Sequence, residues 1–127
     1  MQKLQNSDTQ AMLNLQPGNL LFKKGQVGGD LYLIVEGKLE RYNEDANGNK
    51  LIIDEIIKGQ LIGEMSFFDK RPKSANVRAI TDCSLIKIPA GSVAKHLDLQ
   101  PEIVRVLIKN LTSRMRLLSD KYEKANN

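Results

Sequence analysis

The stretch of sequence that decides the fold is IGEMSFFDKRPKSANV, residues 62–77. Its Gly63 allows the backbone to approach a ligand closely, and the carboxylate of Glu64 can accept hydrogen bonds from ligand hydroxyl groups. The first amides of a short helix predicted at residues 65–68 can face an anion, and the cation of Lys73 follows a few residues later. This combination of residue types predicts a pocket for a small sugar phosphate.

Short apolar or alternating runs surround this stretch and are separated by turns that contain glycine. Such a pattern, without helix-length periodicity, is typical of an antiparallel β domain, and so many short strands favour a closed or rolled sheet. The Asn47-Gly48 pair predicts a hairpin, because both residues tolerate positive φ. The β domain is predicted at about residues 13–89, with strands at 20–23, 31–36, 38–42, 50–57, 60–63, 75–79 and 83–89.

The chain changes character after Pro89, where apolar residues recur at helical spacing. Helices are predicted at about residues 90–99 and 100–125, and Pro101 suits the first turn of the second helix. The second helix carries an apolar stripe wide enough to pack on the β domain and on a second copy of the chain. The stripe contains Val104, Leu107, Leu111, Met115, Leu118 and Tyr122, flanked by Ile103, Val106, Ile108 and Leu117. The polar side, which we expect to be solvated, holds Arg105, Lys109, Arg114, Arg116, Lys121 and Lys124.

The composition fits a single domain that spans residues 1–127. The net charge of +4 arises from 19 basic and 15 acidic residues, which favours a mixed, solvated surface over a nucleic-acid-binding one. The single cysteine, Cys83, lies in an apolar run and predicts a small buried thiol. The sequence has neither an apolar signal core nor a run of about 18 apolar residues, so we predict a cytoplasmic protein that does not enter a membrane.

Residue patterns typical of catalysis are missing from the sequence. His96 is the only histidine and lies in a predicted helix. A metal-dependent enzyme needs several imidazoles or carboxylates that converge on one ion, and covalent catalysis needs a nucleophile beside its base. The sequence therefore predicts a protein that binds a ligand, is not an enzyme and needs no cofactor.

Three further segments occur in a set order, namely PGNLLFKKG at residues 17–25, LYLIVEGKL at 31–39 and GQLIGE at 59–64. With these segments and residues 62–77, the chain resembles the cyclic nucleotide-binding domain family, and most closely its bacterial catabolite activator branch. The resemblance covers nearly the whole chain. It implies a mainly β fold, a β-roll or jelly roll, followed by C-terminal helices of which the last is a long dimerisation-type helix. The implied ligand is cyclic AMP or cyclic GMP.

The resemblance also assigns roles to residues 63–76, which correspond to the family's phosphate-binding cassette and are called the cassette below. Gly63 offers its backbone, Glu64 accepts a hydrogen bond from the ribose 2′-hydroxyl, and Met65 and Ser66 belong to the same ligand-binding segment. Where the family has an arginine that pairs with the cyclic phosphate, this chain has Lys73. Lysine offers a point charge in place of arginine's planar fork, so a weaker phosphate contact is expected.

The residues around Lys73 match the family in part. Ser74 corresponds to a small residue whose backbone or hydroxyl touches the phosphate, whereas Asn76 replaces the usual serine or threonine. Arg71 is an alternative cation for the phosphate, although Pro72 separates it from Lys73. Without the family context, a lysine in a loop with proline is more typical of a solvated side chain.

The base pocket carries over to positions that are also ordinary core positions, namely Ile53, Leu61 and Ile62. In the activator branch the long helix brings a threonine–serine pair to the purine, and Leu118 and Ser119 occupy those positions here. Leu118 can make only apolar contact. The expected result is poorer discrimination between adenine and guanine, or no capture of the base.

Two functions remain open from the sequence. The first is a non-catalytic cyclic nucleotide-binding sensor in which the cassette, through Phe67 and Phe68, signals to the long helix near residues 111–118. The second is a degenerate module that no longer binds nucleotide tightly and serves as a dimeric scaffold for other proteins. A homodimer through the C-terminal helix and a protein effector are the expected partners. DNA binding by this chain alone is not expected, because the activator branch reads DNA with a helix-turn-helix after the long helix, whereas this sequence ends at Asn127.

Overall fold

Two antiparallel sheets and three helices make up the computed structural model, which describes residues 11–125. The strands are β1 (Ala11–Leu15), β2 (Leu20–Phe22), β3 (Leu31–Glu36), β4 (Lys38–Glu44), β5 (Lys50–Ile57), β6 (Leu61–Ile62), β7 (Asn76–Ala79) and β8 (Cys83–Ile88). The helices are α1 (Glu64–Asp69), α2 (Ala90–Asp98) and α3 (Glu102–Ala125). One sheet has the order β1-β8-β3-β6 and the other β2-β7-β4-β5. The predicted jelly roll with C-terminal helices is confirmed, while residues 1–10 and 126–127 of the predicted domain lie outside the described residues.

The core joins the two sheets face to face. Its buried side chains come from both sheets and include Phe22, Ile34, Leu39, Ile56, Val77 and Leu85. Full burial of an aliphatic or aromatic side chain contributes about 1.5–3 kcal/mol each, so this shared layer is the main stabilising feature. Cys83 is buried in the same layer, as predicted. Gly37 packs so closely against Cys83 that an added Cβ would lie 2.7 Å from its Sγ.

The predicted hairpin at Asn47-Gly48 joins β4 to β5, but its turn differs from the expectation. Of the two residues, only Gly48 has a positive φ, of 82°. The carboxylate of Asp45 organises the connection by accepting hydrogen bonds from the amides of Asn47 (2.9 Å) and Asn49 (2.8 Å). The loop is therefore longer than a two-residue turn and is closed by an aspartate rather than by two left-handed residues.

Strand β1 is the element that the sequence did not predict. It pairs antiparallel with β8, from Ala11 opposite Lys87 to Leu15 opposite Cys83. It lies at the edge of its sheet, and its burial is partial along its whole length. A strand that buries so little apolar surface depends on its neighbour for pairing, which a local pattern does not reveal.

Helix α3 lies against helix α1, and the face that it buries is not the predicted one. The buried residues of α3 are Thr112 and Arg116, whereas Leu107, Leu111 and Leu118 are largely exposed. The apolar stripe is therefore mostly exposed within this chain, although Val104 is half-buried. The polar side, predicted to be solvated, contributes Arg116 to the interior. No helix within residues 11–125 is long and apolar enough to cross a membrane.

Candidate functional site

The backbone of the cassette turns at Gly63, between strand β6 and helix α1. Gly63 has φ +96°, a conformation that residues with a side chain rarely adopt. A Cβ at this position would lie 2.6 Å from the carbonyl oxygen of Asp30 and 3.5 Å from Nζ of Lys73. Only glycine fits here, because the carbonyl of Asp30 occupies the space that a Cβ would need, whereas the contact with Nζ of Lys73 would be an ordinary one.

The side chain of Lys73 is buried, with 7% of its surface exposed. Its backbone is fixed by two hydrogen bonds, because its amide donates to the carbonyl of Gln26 (2.9 Å) and its carbonyl accepts from the amide of Gly25 (2.8 Å). Its ammonium lies 4.7 Å from the ring centroid of Phe22, a cation–π contact. Within residues 11–125, Nζ has no hydrogen-bond partner. The structure therefore excludes the solvated lysine that an isolated loop would favour.

The charges around Lys73 act on its ammonium in opposite directions. Burial is the main reason that its pKa lies below the ordinary value of 10.5. The carboxylates of Asp30 and Glu64 favour the charged form and raise the pKa, whereas the nearby guanidinium of Arg116 lowers it. Burial thus destabilises the charged form of Lys73, and the two carboxylates, which do not hydrogen-bond to it, offset only part of that cost. An anion that supplied acceptors would remove this penalty.

Two adjoining cavities lie beside the cassette. The first, named the polar cavity for the four charged side chains in its lining, has a volume of about 30 Å³ and is lined by Phe22, Arg41, Ile62, Gly63, Glu64, Met65, Ser66, Lys73, Ser74, Ala75, Val77 and Arg116. The second is more apolar, has a volume of about 430 Å³ and is lined by Arg41, Ile53, Asp54, Met65, Ser74, Met115, Leu118, Ser119 and Tyr122. Arg41, Met65 and Ser74 line both. Nine of the residues predicted for the ligand site line one cavity or the other, namely Ile53, Gly63, Glu64, Met65, Ser66, Lys73, Ser74, Leu118 and Ser119.

Three residues named from the sequence have other positions. Leu61 lines neither of these cavities but a separate polar cleft beside strand β5. The side-chain oxygen of Asn76 accepts the amide of Lys24 at 3.0 Å, which holds the loop after β2. Arg71 lines neither cavity and is therefore not an alternative cation for the phosphate; it makes a bidentate ion pair with Asp120 of helix α3 at 3.0 and 3.2 Å.

The buried ion pair between Asp69 and Arg116 is the main feature of the site that the sequence did not predict. Arg116 donates from Nε to Oδ2 of Asp69 at 2.6 Å and from Nη2 to Oδ1 at 3.0 Å. Burial tends to raise the pKa of Asp69, but the hydrogen bonds from Arg116 and from the amide of Arg71 outweigh it and hold the pKa below 3.8. The pair ties helix α3 to the end of the cassette. A local pattern carries no signal for it, because the partners are 47 residues apart.

A second ion pair, between Arg41 and Asp54, lies where the two cavities meet. These residues face each other across strands β4 and β5, with distances of 2.9 Å from Nε and 2.8 Å from Nη2 to the carboxylate. The alternation of residues along the two strands that the hairpin joins is the signal that could have predicted this pair. They place a paired guanidinium and carboxylate in the lining of the apolar cavity.

A model of the family described as the cyclic nucleotide-binding domain matches residues 12–98. The chain belongs to the cyclic nucleotide-binding domain family. The domain is 28% identical over 102 residues to the cAMP-activated global transcriptional regulator CRP of Salmonella typhimurium, which covers 80% of this chain and 49% of that protein. It is 26% identical over 101 residues to patatin-like phospholipase domain-containing protein 6 of Homo sapiens, over 80% of this chain and 7% of that protein.

The fold of the domain also matches solved structures. The cAMP-bound form of the EAL enzyme Bd1971 superimposes with a TM-score of 0.75 at 23% sequence identity, over 91% of this chain and 31% of that chain. At this identity the likeness concerns the fold. The predicted family and its catabolite activator-like branch are confirmed. The domain spans about half the length of the CRP relative and less than a tenth of the length of the phospholipase relative.

Proposed function

We propose that this domain is a non-catalytic regulatory module that binds cyclic AMP or cyclic GMP. The observation that supports it best is the buried ammonium of Lys73, which has no hydrogen-bond partner in the described part of the chain and shares a cavity with Glu64. A cyclic phosphate would bring both charge and acceptors to that ammonium. In this assignment Lys73 and Ser74 hold the phosphate, and Glu64 accepts the ribose 2′-hydroxyl.

The base is assigned to the apolar cavity. Its volume of about 430 Å³ is in the usual range for a small-molecule site, and Ile53 and Leu118 give it apolar walls. Ser119 is the polar residue of the long helix that lines it. Because a single hydroxyl can donate to or accept from either purine, we expect affinities for cyclic AMP and cyclic GMP within about tenfold of each other.

Helix α3 is the proposed route of the signal. It lines both cavities, through Arg116 in the polar one and through Leu118 in the apolar one, and it is tied to the cassette by the Asp69–Arg116 pair. A ligand that engages both the cassette and α3 changes how firmly the helix is held. The exposed stripe on α3 fits a second copy of the chain, so the proposed state is a homodimer that presents the helix to a protein effector.

Isothermal titration calorimetry with cyclic AMP and cyclic GMP tests the proposal. The expected result is heat of binding for the wild type and its loss in Lys73→Ala. Lys58→Ala is the matched control, because that lysine lies on the surface and lines neither cavity. No heat with either nucleotide at millimolar concentration would contradict the proposal.

The second candidate is a dimeric scaffold that has lost tight nucleotide binding. It is favoured by the large exposed apolar side of α3, where Leu118 is 66% exposed, together with the lysine at position 73. In this case sedimentation equilibrium would give a dimer whose dissociation constant is unaffected by millimolar nucleotide. A calorimetric signal that Lys73→Ala abolishes would exclude it.

A further inference from the structure

We propose that Arg116 of helix α3 is a second phosphate-binding cation, which acts together with Lys73. This role rests on the proposed function and adds a residue from a different element of the fold. The sequence offered only Lys73 and Arg71 as cations for the phosphate, and Arg71 lines neither cavity. Arg116 therefore supplies the planar guanidinium that position 73 lacks.

The position of Arg116 is unusual for a residue on the polar side of a surface helix. Only 5% of its surface is exposed, and it lines the same polar cavity as Glu64, Lys73 and Ser74. Arginine is seldom buried unless its charge is paired, and here the pairing partner is Asp69. The cavity thus holds two buried cations on two elements, the loop before β7 and helix α3.

The ion pair with Asp69 fixes the orientation of the guanidinium without using all its donors. Nε and Nη2 donate to the two carboxylate oxygens, at 2.6 and 3.0 Å, which leaves the N–H groups of Nη1 for another acceptor. Asp69 is itself held by the amide of Arg71, which donates to Oδ1 at 3.0 Å. Asp69 is therefore a positioning residue, and Arg116 is held ready to donate from Nη1 to an anion such as phosphate.

The charges in the cavity favour an anion between the two cations. Arg116 is close enough to Lys73 to lower the pKa of its ammonium, so the two positive charges repel each other. Glu64 is the carboxylate that lines the cavity with them, and the charge of Asp69 is already paired. A phosphate between Lys73 and Arg116 converts this repulsion into two attractive contacts. It also links the cassette loop directly to α3.

Calorimetry with cyclic AMP and with adenosine, on the wild type and on Arg116→Gln, tests this role. Adenosine keeps the base and the ribose hydroxyl but has no phosphate. Loss of a charge-assisted hydrogen bond predicts that Arg116→Gln lowers the affinity for cyclic AMP by about tenfold or more and leaves adenosine unchanged. Where adenosine binds too weakly to measure, the ³¹P chemical shift of saturating cyclic AMP is the readout, and it is expected to differ between the two proteins.

Arg71→Gln is the matched control, because it removes the other ion pair between the cassette and α3 at an exposed site. Exposed pairs contribute about 0–1 kcal/mol, so its affinity for cyclic AMP is expected to stay within about fivefold of the wild type. Where Arg116→Gln does not fold, Arg116→Lys keeps the charge but not the fork, and is expected to lose affinity for cyclic AMP only.

Three outcomes would overturn the role of Arg116. Equal losses for cyclic AMP and adenosine, or an unchanged ³¹P shift, would mean that Arg116 only holds α3 in place. Normal binding by Arg116→Gln, with binding abolished in Lys73→Ala, would overturn this role and leave the proposed function intact. A wild type that binds neither cyclic nucleotide would overturn both.

Discussion

Replacing Lys73 by methionine is expected to stabilise the fold and to remove ligand binding at the same time. Methionine has a similar unbranched stem without charge, so the packing on Phe22 is kept while the buried ammonium is removed. A buried charged group without a hydrogen bond costs about 1–3 kcal/mol or more, and the cation–π contact offsets about 0.5–2 kcal/mol of this. The net gain in unfolding free energy is about 1 kcal/mol, which raises the Tm of a domain of this size by about 4 °C.

The pH dependence of this gain follows from the lowered pKa of Lys73. Because the pKa is lower in the folded state than its ordinary 10.5, the unfolded chain binds more protons between the two values. Wild-type stability therefore rises with pH through that window, as the buried ammonium loses its proton. The advantage of Lys73→Met is expected to be full below the folded-state pKa and to shrink as the pH approaches 10.5.

Urea unfolding at neutral pH and near pH 10, with calorimetry of cyclic nucleotide binding, measures both effects. Lys58→Met removes an exposed lysine and is expected to change stability by less than about 0.5 kcal/mol. A less stable Lys73→Met would mean that the ammonium is satisfied within the fold. Unchanged nucleotide affinity in the same variant would refute the assignment of Lys73 to the phosphate.

Three other substitutions test separate parts of the site. Glu64→Gln is expected to weaken cyclic AMP binding by about tenfold and 2′-deoxy cyclic AMP binding hardly at all in calorimetry; equal losses would remove Glu64 from the ribose. Gly63→Ala is expected to lower the unfolding free energy, measured by urea denaturation, by about 2–4 kcal/mol, which is more than the cost of Gly59→Ala. Both glycines have positive φ, but of the two only Gly63 lacks room for a Cβ, so equal costs would contradict the close contact. Asp69→Asn is expected to destabilise the domain at neutral pH and progressively less as the pH falls below 3.8, because the stability that comes from the lowered pKa of Asp69 is lost when its carboxylate is protonated. A constant difference in unfolding free energy between the two proteins down to about pH 2 would contradict this.

Local sequence patterns account for much of the fold. Alternating runs and glycine turns predicted seven of the eight strands, and helical spacing after Pro89 predicted the two C-terminal helices. These features depend on residues close together in the chain. Edge strand β1 escaped prediction because its order comes from pairing with β8, more than 60 residues away.

The sequence predicted many of the residues that line the two cavities but not the charges and ion pairs around them. Six residues between positions 63 and 74 could be placed by their order, and the structure brings them to one pair of cavities: Gly63, Glu64, Met65, Ser66, Lys73 and Ser74. The burial of Lys73 depends on its contacts with Phe22 and the loop after β2, and the Asp69–Arg116 and Arg71–Asp120 pairs depend on how α3 lies on α1. Contacts of this kind are set by the tertiary packing, so the charges around the cavities were the part that the sequence left open.

A crystal structure of the chain grown with millimolar cyclic AMP tests the central claim most directly. The proposed function predicts a phosphate within hydrogen-bond distance of Nζ of Lys73, the ribose 2′-hydroxyl on Glu64 and the base in the cavity lined by Ile53 and Ser119. Clear density for the side chains of Lys73 and Glu64, with no nucleotide beside them, would contradict it.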